Sequence, residues 1–453
     1  MTERLELIDG IDDHPLIMLS PSVNTITFYV GLPPVDYLTN RVSELLALNP
    51  WLAGRMESRN GSKGTDVVFS KSDHNIEDYF MMINDPSLHP AVPYSDLYKR
   101  LLHFHVKSGN DCINKPEPLF QVVLIVSDPT HFGVLFSFSH VLGDGFTHYE
   151  LYGMLSTDSQ VRSLQAKRSQ DLTALKTQMT GGQDIATYMS SPSMLVNAVC
   201  TLLFVPKATV RLHTVNQGWV SEQKAAYLED TSVPNAVRQE APFLSTNDVL
   251  TSWWFNFTNI DFGLMAMNLR KRIPELTFEM AGNYEYLPAY QRVDFGHPAH
   301  IRQSLSRARG HYAPSLPGPF SILSARLSIL SSWATFYRDV ELTGCTQLLH
   351  LPCADDQNIA TSNLAVLFRP RKGELALMSF TRGISDEEFS CSGALGEAIM
   401  GATAGANTGS GREGTGVLTK VVVLSALVGV GAVLYSYCGG KLDNFNPWSI
   451  RNV

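Results

Sequence analysis

The spacing of hydrophobic positions early in the chain predicts a helix. Val42, Leu45 and Leu46 recur three and four residues apart, which places them on one face of an amphipathic helix. Asn49 and Pro50 follow, and because proline disfavours helical geometry in the residue before it, the helix is expected to end there. The pattern therefore predicts a helix that packs by its apolar face against a core.

Two later segments change to the pattern of strands. Residues 119–127 form an apolar, β-branched run of strand length, bounded by proline on one side and Asp-Pro on the other. Residues 131–139 alternate, so that Val134 and Phe136 share one face of the strand. Because only residues 128–130 separate the two runs, we expect them to pair as a hairpin.

The rest of the chain repeats this mixture. Residues 156–182 are polar and predict a surface crossover, whereas 193–205 are apolar but too few to span a bilayer. A second mixed segment covers residues 245–381 and closes with apolar strands at 364–368 and 375–380. The pattern predicts an α/β (α+β) fold of two mixed halves joined by a polar crossover.

Composition narrows the class of protein. The chain has 453 residues, of which 44% are hydrophobic and 17% charged, so it can bury a large core in two or three domains. These values exclude a disordered, collagen-like or coiled-coil chain. The formal net charge of −8 lacks the basic surface of a nucleic-acid-binding protein. The six cysteines form no Cys-x-x-Cys pair, which indicates neither a disulfide framework nor a zinc site and favours a reducing compartment.

The C-terminal region predicts a membrane anchor. Residues 421–440 contain no charge, and a helix of 20 residues is about 30 Å long, the thickness of a hydrocarbon core. The alternative is that 421–440 is a buried core helix. Six glycines within residues 401–416 argue against it, and we interpret 391–420 as a flexible linker. Residues 441–453 form a short tail.

This arrangement predicts a topology. The N-terminus has no apolar signal region, and few residues follow the apolar segment. We therefore expect a tail-anchored protein with residues 1–420 in the cytosol, and the endoplasmic reticulum is the default membrane.

The segment from Ser139 to His148 carries the candidate chemistry. The alternating strand delivers His140 at its end, and a tight turn with Asp144 and Gly145 leads into a predicted helix. An imidazole held rigidly at a strand end is suited to accept a proton from a hydroxyl or amine. Asp144 would either orient the ring or brace the turn against a distant cation, and Gly145 permits close backbone approach.

Two other interpretations of this segment remain open from the residues alone. A histidine beside an aspartate and glycines also occurs in an ordinary hydrogen-bonded turn. A metal site built from His140, Asp144 and His148 would need one continuous helix, which the glycines at 143 and 145 disfavour. We therefore expect no metal.

Together with its surroundings, the sequence SHVLGDG at residues 139–145 resembles the HxxxDG signature of the CoA-dependent acyltransferase superfamily. This superfamily includes BAHD acyltransferases, wax ester synthases and condensation domains of peptide synthetases. The resemblance covers about residues 1–390. The other segments that resemble family motifs, in the same order and spacing, are residues 45–55, 118–121, 244–251, 266–272 and 282–283.

The resemblance implies two pseudo-symmetric, chloramphenicol-acetyltransferase-like lobes, residues 1–215 and 216–390, with a tunnel between them. His140 would be the general base that deprotonates an alcohol or amine acceptor, which then attacks the acyl-CoA thioester. Acyl-CoA would be a co-substrate, with no permanently bound cofactor and a monomeric catalytic unit. A lipophilic substrate would rationalise the anchor at 421–440.

The resemblance also implies roles for other residues. Asp144 would pair with Arg270, so that both, like Gly145, support the active site structurally. Thr246 and Asn247 would line the tunnel and bind substrate, although residues of these types also cap helices. The resemblance makes Asn283 a further lining residue.

One segment departs from the family pattern. Residues 337–344 keep an acid and a glycine but lack the FGWG of plant-type members. A non-catalytic relative that binds a lipid or a partner at the membrane is the alternative function. The intact HxxxDG motif argues against it, because loss of His140 would be its simplest sign.

Overall fold

The structure is a computed structural model that describes residues 2–9, 11–20, 22–59, 64–71, 75–179, 191–306, 318–354 and 361–399. The predicted anchor at 421–440 and its tail lie outside these residues. Within the described ranges, no helix is both long and apolar enough to cross a membrane.

The elements follow one another as a mixture of strands and helices. The strands are β1 Thr2–Glu6, β2 Val23–Val30, β3 Arg55–Ser58, β4 Thr65–Ser70, β5 Phe80–Asn84, β6 Phe120–Asp128, β7 His131–Phe138, β8 Thr209–Val215, β9 Phe262–Met265, β10 Met267–Asn268, β11 Glu285–Tyr286, β12 Ala289–Gln291, β13 Leu327–Ser332, β14 Thr346–Pro352, β15 Asn363–Phe368, β16 Ala376–Thr381 and β17 Leu395–Ala398.

Helices connect these strands. The α-helices are α1 Pro15–Met18, α2 Val35–Leu48, α3 Tyr94–Leu101, α4 Gly109–Cys112, α5 Gly145–Gly153, α6 Leu172–Met179, α7 Pro192–Phe204, α8 Gln217–Glu229, α9 Asn235–Glu240, α10 Thr246–Phe257, α11 Arg292–Phe295, α12 Pro298–Ser306, α13 Pro319–Leu323 and α14 Asp386–Ser390. Short 3₁₀ helices cover Pro50–Ala53, Ile76–Asp78 and Leu102–Phe104.

The predicted early helix is confirmed as α2. It buries Val42, Leu45 and Leu46 together with Leu38, and its C-cap residue is Asn49. The proline at position 50 opens a 3₁₀ helix rather than continuing α2, as expected from its fixed φ.

The smaller main sheet carries the candidate motif. Its strand order is β14-β2-β7-β6-β5, and the predicted hairpin of β6 and β7 is confirmed as an antiparallel pair. β7 lies in the middle of the sheet and is buried along nearly its whole length, with helices and the other sheet on its two faces. A central strand of this kind gives the residues after its end a rigid support.

The larger main sheet has the order β12-β9-β13-β15-β16-β8-β17. The predicted strands at 364–368 and 375–380 are confirmed as β15 and β16, which pair antiparallel. The sheets exchange strands across the predicted lobes: β8, before residue 215, pairs with β16, and β14 pairs with β2. A boundary after residue 215 therefore does not separate the sheets, because pairing depends on the three-dimensional path of the chain.

The predicted linker at 391–420 begins too early. Its first residues include β17, which pairs with β8 at the edge of the larger sheet. Most side chains of β17 are exposed, so main-chain hydrogen bonds rather than apolar burial hold this strand, and hydropathy gave no signal for it.

A shared core joins the two main sheets. Ile26 of β2 and Leu135 of β7 are fully buried in one cluster with Leu212 of β8, Phe368 of β15 and Met378 of β16. The packing of side chains from both sheets confirms a mixed α/β architecture with a two-part body. It also fixes the C-terminal end of β7, from which the candidate site extends.

Candidate active site

His140 lies in the turn between β7 and α5. The main-chain N–H of Ser139 donates to the carbonyl of Leu119, the residue before β6, at 2.8 Å, and the N–H of Leu142 donates to the carbonyl of Ser139 at 3.0 Å. Asp144 is the N-cap of α5, where its carboxylate accepts a hydrogen bond from the N–H of Thr147. The turn is therefore fixed at both ends, as the sequence predicted.

Asn283 determines which nitrogen of His140 carries the proton. The amide nitrogen of Asn283 donates to Oδ1 of Asp12 and to the carbonyl of His140, both at 2.9 Å. The amide oxygen therefore faces Nδ1 of His140, at 3.2 Å. Because that oxygen only accepts, Nδ1 carries a hydrogen, and in the neutral ring the lone pair is therefore on Nε2.

Glu285, which the sequence did not single out, faces the basic nitrogen. Its Oε1 lies 4.0 Å from Nε2 of His140, and the two side chains are 28% and 20% exposed. Burial raises the pKa of Glu285 above its ordinary value, although the neighbouring His140 opposes this. Both side chains are partly exposed, and Glu285 lines a small cavity at the start of α5, whereas His140 is not among the described residues that line it.

Lys176 of α6 also interacts electrostatically with Glu285. Burial lowers the pKa of its ammonium, and the carboxylates of Glu285, Asp12 and Asp144 partly offset that effect. It belongs to the polar stretch that the sequence predicted as a surface crossover.

The structure brings Asp144 and Arg270 together, away from the open side of His140. Nη1 of Arg270 donates to Oδ2 of Asp144 at 2.7 Å and Nη2 donates to Oδ1 at 3.3 Å, with both side chains almost fully buried. Burial alone would raise the pKa of Asp144, but the charge and hydrogen bonds of Arg270, together with those of Thr147, lower it. The carboxylate of Asp144 accepts hydrogen bonds from Thr147, Arg270 and Tyr284, which favours the alternative that it braces the turn against a distant cation.

Arg270 ties the motif to the segment that carries Asn283. Its guanidinium donates to the carbonyls of Met280 and Gly282, and it stacks on the rings of Phe146 and Tyr284 at 4.4 and 5.0 Å. The N–H of Tyr284 also donates to Asp144 at 3.1 Å. This single cation therefore holds the start of α5 against the segment on which the partner of His140 lies.

A second buried ion pair was not predicted from the sequence. Nε of Arg168 donates to Oδ2 of Asp12 at 3.1 Å, and its Nη2 donates to the carbonyls of Val141 and Leu142. Asp12 is also the acceptor for Asn283, so the ion pair positions the amide that binds the imidazole of His140. No local pattern indicates this contact, because the two residues are far apart in the chain.

A small cavity, partly open to solvent, lies at the N-terminus of α5. Glu285 lines it together with Asp144, Gly145, Asn268 and Trp333. A Cβ on Gly145 would lie 3.3 Å from Nε1 of Trp333, tighter than most side-chain contacts. The glycine therefore keeps this entrance open, consistent with the close approach expected of it.

Thr246 and Asn247 lie at the start of α10 but do not cap it. Ser245 is the N-cap and forms a capping box with Asp248, so the N-cap interpretation of the other two residues is wrong. Thr246 accepts a hydrogen bond from Lys224 at 2.9 Å, and the amide of Asn247 donates to the sulfur of Met265. Neither residue is among the described residues that line the cavity.

The metal interpretation of His140, Asp144 and His148 is wrong. The helix begins only at Gly145, and His148 is fully buried, with its Nε2 3.1 Å from the hydroxyl of Thr25. Within the described ranges, no group of three or more His, Cys, Asp or Glu residues has the arrangement of a metal site.

Solved structures share this fold at low sequence identity. TRI101 of F. sporotrichioides, complexed with coenzyme A and T-2, has a TM-score of 0.56 at 15% identity, covering 88% of this chain and 100% of that chain. Polyketide synthase associated protein 5 from Mycobacterium tuberculosis has 0.53 at 15%, covering 85% and 95%. The first condensation domain of the CDA synthetase has 0.50 at 11%, covering 86% and 93%.

These likenesses confirm the fold that the HxxxDG resemblance implied: the chain has the fold of the CoA-dependent acyltransferases. No family model matches the sequence, and no curated protein matches it. The assignment of the fold therefore rests on structural similarity alone.

Proposed function

We propose that this protein is an acyltransferase that moves an acyl group from acyl-CoA to a hydroxyl or amine acceptor, with His140 as general base. The observation that carries the proposal is the hydrogen bond from Nδ1 of His140 to Asn283, which places the lone pair of the neutral ring on Nε2. That nitrogen lies beside Glu285, a residue that lines the cavity at the start of α5. The solved structure of TRI101 with coenzyme A supports acyl-CoA as the co-substrate.

The reaction needs no covalent acyl-enzyme. The acceptor would give a proton to Nε2 of His140 while its oxygen or nitrogen attacks the thioester carbonyl. The carbon–sulfur bond then breaks, and the imidazolium returns the proton to the sulfur, which leaves as free thiol. The Asp144–Arg270 pair would keep the turn in place without touching substrate.

The test is a screen of acyl-CoAs against alcohol and amine panels with the full chain, followed by thiol release and by mass spectrometry of the product. The proposal expects thiol release that depends on the acceptor, with an ester or amide product. Binding of acyl-CoA in calorimetry without turnover in any combination would instead support the non-catalytic, lipid- or partner-binding alternative.

We also propose that residues 421–440 anchor the protein in a membrane, with the body in the cytosol and the endoplasmic reticulum as the expected location. The uncharged length of this segment supports the proposal. Leu427→Lys combined with Leu434→Lys is expected to release the full chain from carbonate-washed membranes. Unchanged retention of that variant would contradict the anchor, and Thr408→Lys in the linker is the control.

A further inference from the structure

We propose that Glu285 is a further catalytic residue, which binds the ammonium form of a primary amine acceptor beside Nε2 of His140 and accepts its first proton. This inference rests on the proposed function and narrows the acceptor from alcohol or amine to amine. It starts from the placement of one carboxylate on the reactive side of the histidine.

The backbone fixes the position of Glu285. The residue opens β11, and it pairs directly with Asn268 of β10. Its Oε1 and the Nε2 of His140 are 4.0 Å apart, too far for a hydrogen bond between them. That separation leaves room for one nucleophilic atom within about 2.9 Å of both.

The two acceptor atoms distinguish an amine from an alcohol. Nε2 of His140 carries only a lone pair, and the Glu285 carboxylate also only accepts hydrogen bonds when ionised. A hydroxyl has one hydrogen and is able to donate to one of them. An ammonium group has three hydrogens, so it satisfies both atoms at once and keeps one N–H for another acceptor.

Charge in the cavity favours the same acceptor. Two charged residues, Asp144 and Glu285, are among the described residues that line it, and Asp144 is neutralised by Arg270 in a buried pair. In the described part of the chain, no lysine or arginine lies within ion-pair distance of Glu285. A carboxylate there attracts an ammonium ion and stabilises the positive charge on an attacking amine, whereas it opposes the negative charge on an attacking alkoxide.

Burial makes this carboxylate a better base. His140, when its ring is protonated, and the cations Lys176 and Arg270 favour the ionised form of Glu285, whereas Asp144 opposes it. Burial outweighs them and raises the pKa of Glu285, which brings it closer to that of an ammonium group.

The protons balance in this scheme. The carboxylate of Glu285 takes one proton from R–NH₃⁺ and releases it to solvent. The resulting amine attacks the thioester carbon, the carbon–sulfur bond breaks, and Nε2 of His140 carries the second proton from nitrogen to the departing sulfur. The products are an amide, free thiol and one proton in solution.

The test uses pairs of acceptors that share one carbon skeleton, such as 2-phenylethylamine with 2-phenylethanol and dodecylamine with dodecanol. Thiol release by the full chain is measured with each, after subtraction of the reaction without enzyme. In Glu285→Gln, kcat/KM for the amine is expected to fall by about 10- to 100-fold, the range of a lost charge-assisted hydrogen bond. The value for the matched alcohol is expected not to fall, because the alcohol does not need the charge and the carboxylate opposes an attacking alkoxide.

Glu275→Gln is the matched control, because Glu275 is exposed on the segment between β10 and β11 and is not among the described residues that line the cavity. Equal losses for amine and alcohol in Glu285→Gln, or no loss for the amine, would overturn the inference. So would a wild-type chain that acylates alcohols but no amine, although that result would leave the proposed acyltransferase function intact. Absence of transfer to every acceptor would instead overturn the proposed function itself.

Discussion

Nδ1 of His140 lies 3.2 Å from the side-chain oxygen of Asn283, although 143 residues separate them in the chain. The amide of Asn283 is oriented by Asp12, and Asp12 is held by Arg168. This series of contacts keeps the imidazole in one tautomer, with the basic nitrogen on the side of Glu285. The position of the proton is thus determined by residues that do not contact the cavity.

Removal of the tautomer-fixing amide is expected to lower turnover. In Asn283→Ala, Nδ1 loses its acceptor and the ring populates both tautomers, so kcat should fall by about 10²-fold, the lower end of what a positioned base contributes. KM should change little, because Asn283 is nearly buried and is not among the described residues that line the cavity. Steady-state kinetics with the best acceptor measures both.

Asn197→Ala is the matched control for this variant. Asn197 is also buried, and its amide donates to the carbonyls of Ile322, Leu323 and Ala325, outside the site. Its loss is expected to lower stability but not kcat at a temperature where the variant is folded. An equal fall of kcat in both variants would show that Asn283 acts through stability alone.

The Asp144–Arg270 pair is expected to show strong coupling in a double-mutant cycle. Loss of either partner leaves a buried, uncompensated charge, so Asp144→Ala and Arg270→Ala should each lower the free energy of unfolding by about 3–5 kcal/mol. The double variant should lose little more than either single variant, because no charge is then unpaired. Urea denaturation of the four proteins measures this coupling, and additive losses would contradict a structural role for the pair.

A buried polar cluster behind α5 predicts instability in acid. His350 of β14 lies 2.8 Å from the hydroxyl of Thr27 and 2.9 Å from that of Tyr149, and burial lowers its pKa from 6.5 to about 3. His148 is affected in the same way, again to a pKa of about 3. Both rings are therefore neutral in the fold and charged in the unfolded chain at intermediate pH.

The sign of this effect follows from linkage. A lowered folded-state pKa gives stability that is complete above pH 6.5 and is lost as the pH falls towards 3, by about 1.4 kcal/mol per pH unit for each ring. Urea unfolding between pH 6.5 and 4.5 measures the slope, which should be shallower in His350→Gln. The exposed His103→Gln should keep the wild-type slope, and an unchanged slope in His350→Gln would contradict the assignment.

The sequence predicted the helices and strands in which apolar residues recur with a clear helical or strand periodicity. The β6–β7 hairpin, α2 and the pair β15–β16 follow from the apolar faces that the sequence displays over a few residues. His140 could be found because a strand end and a glycine-containing turn are also local features. The HxxxDG resemblance then supplied the fold and the candidate Arg270, which no spacing would have indicated.

Contacts between distant segments could not be predicted in this way. Asp12 and Arg168 form an ion pair only because the fold brings the N-terminal residues next to the turn that carries His140. Neither segment has a sequence pattern that predicts this contact. Glu285 faces His140 through the register of β10 with β11, a pair of strands only two residues long. Such short strands give no periodic signal, so the residue beside the basic nitrogen was missed.

In the proposed reaction, Nε2 of His140 accepts the proton of the acceptor. The most direct measurement is acceptor-dependent thiol release from acyl-CoA by the full-length His140→Ala variant, with its unfolding curve recorded beside that of the wild type. The rate is expected to fall by about 10³-fold or more with the fold retained, since the base is lost and the supporting ion pairs are not. A folded variant that keeps more than about one tenth of the wild-type rate would contradict it.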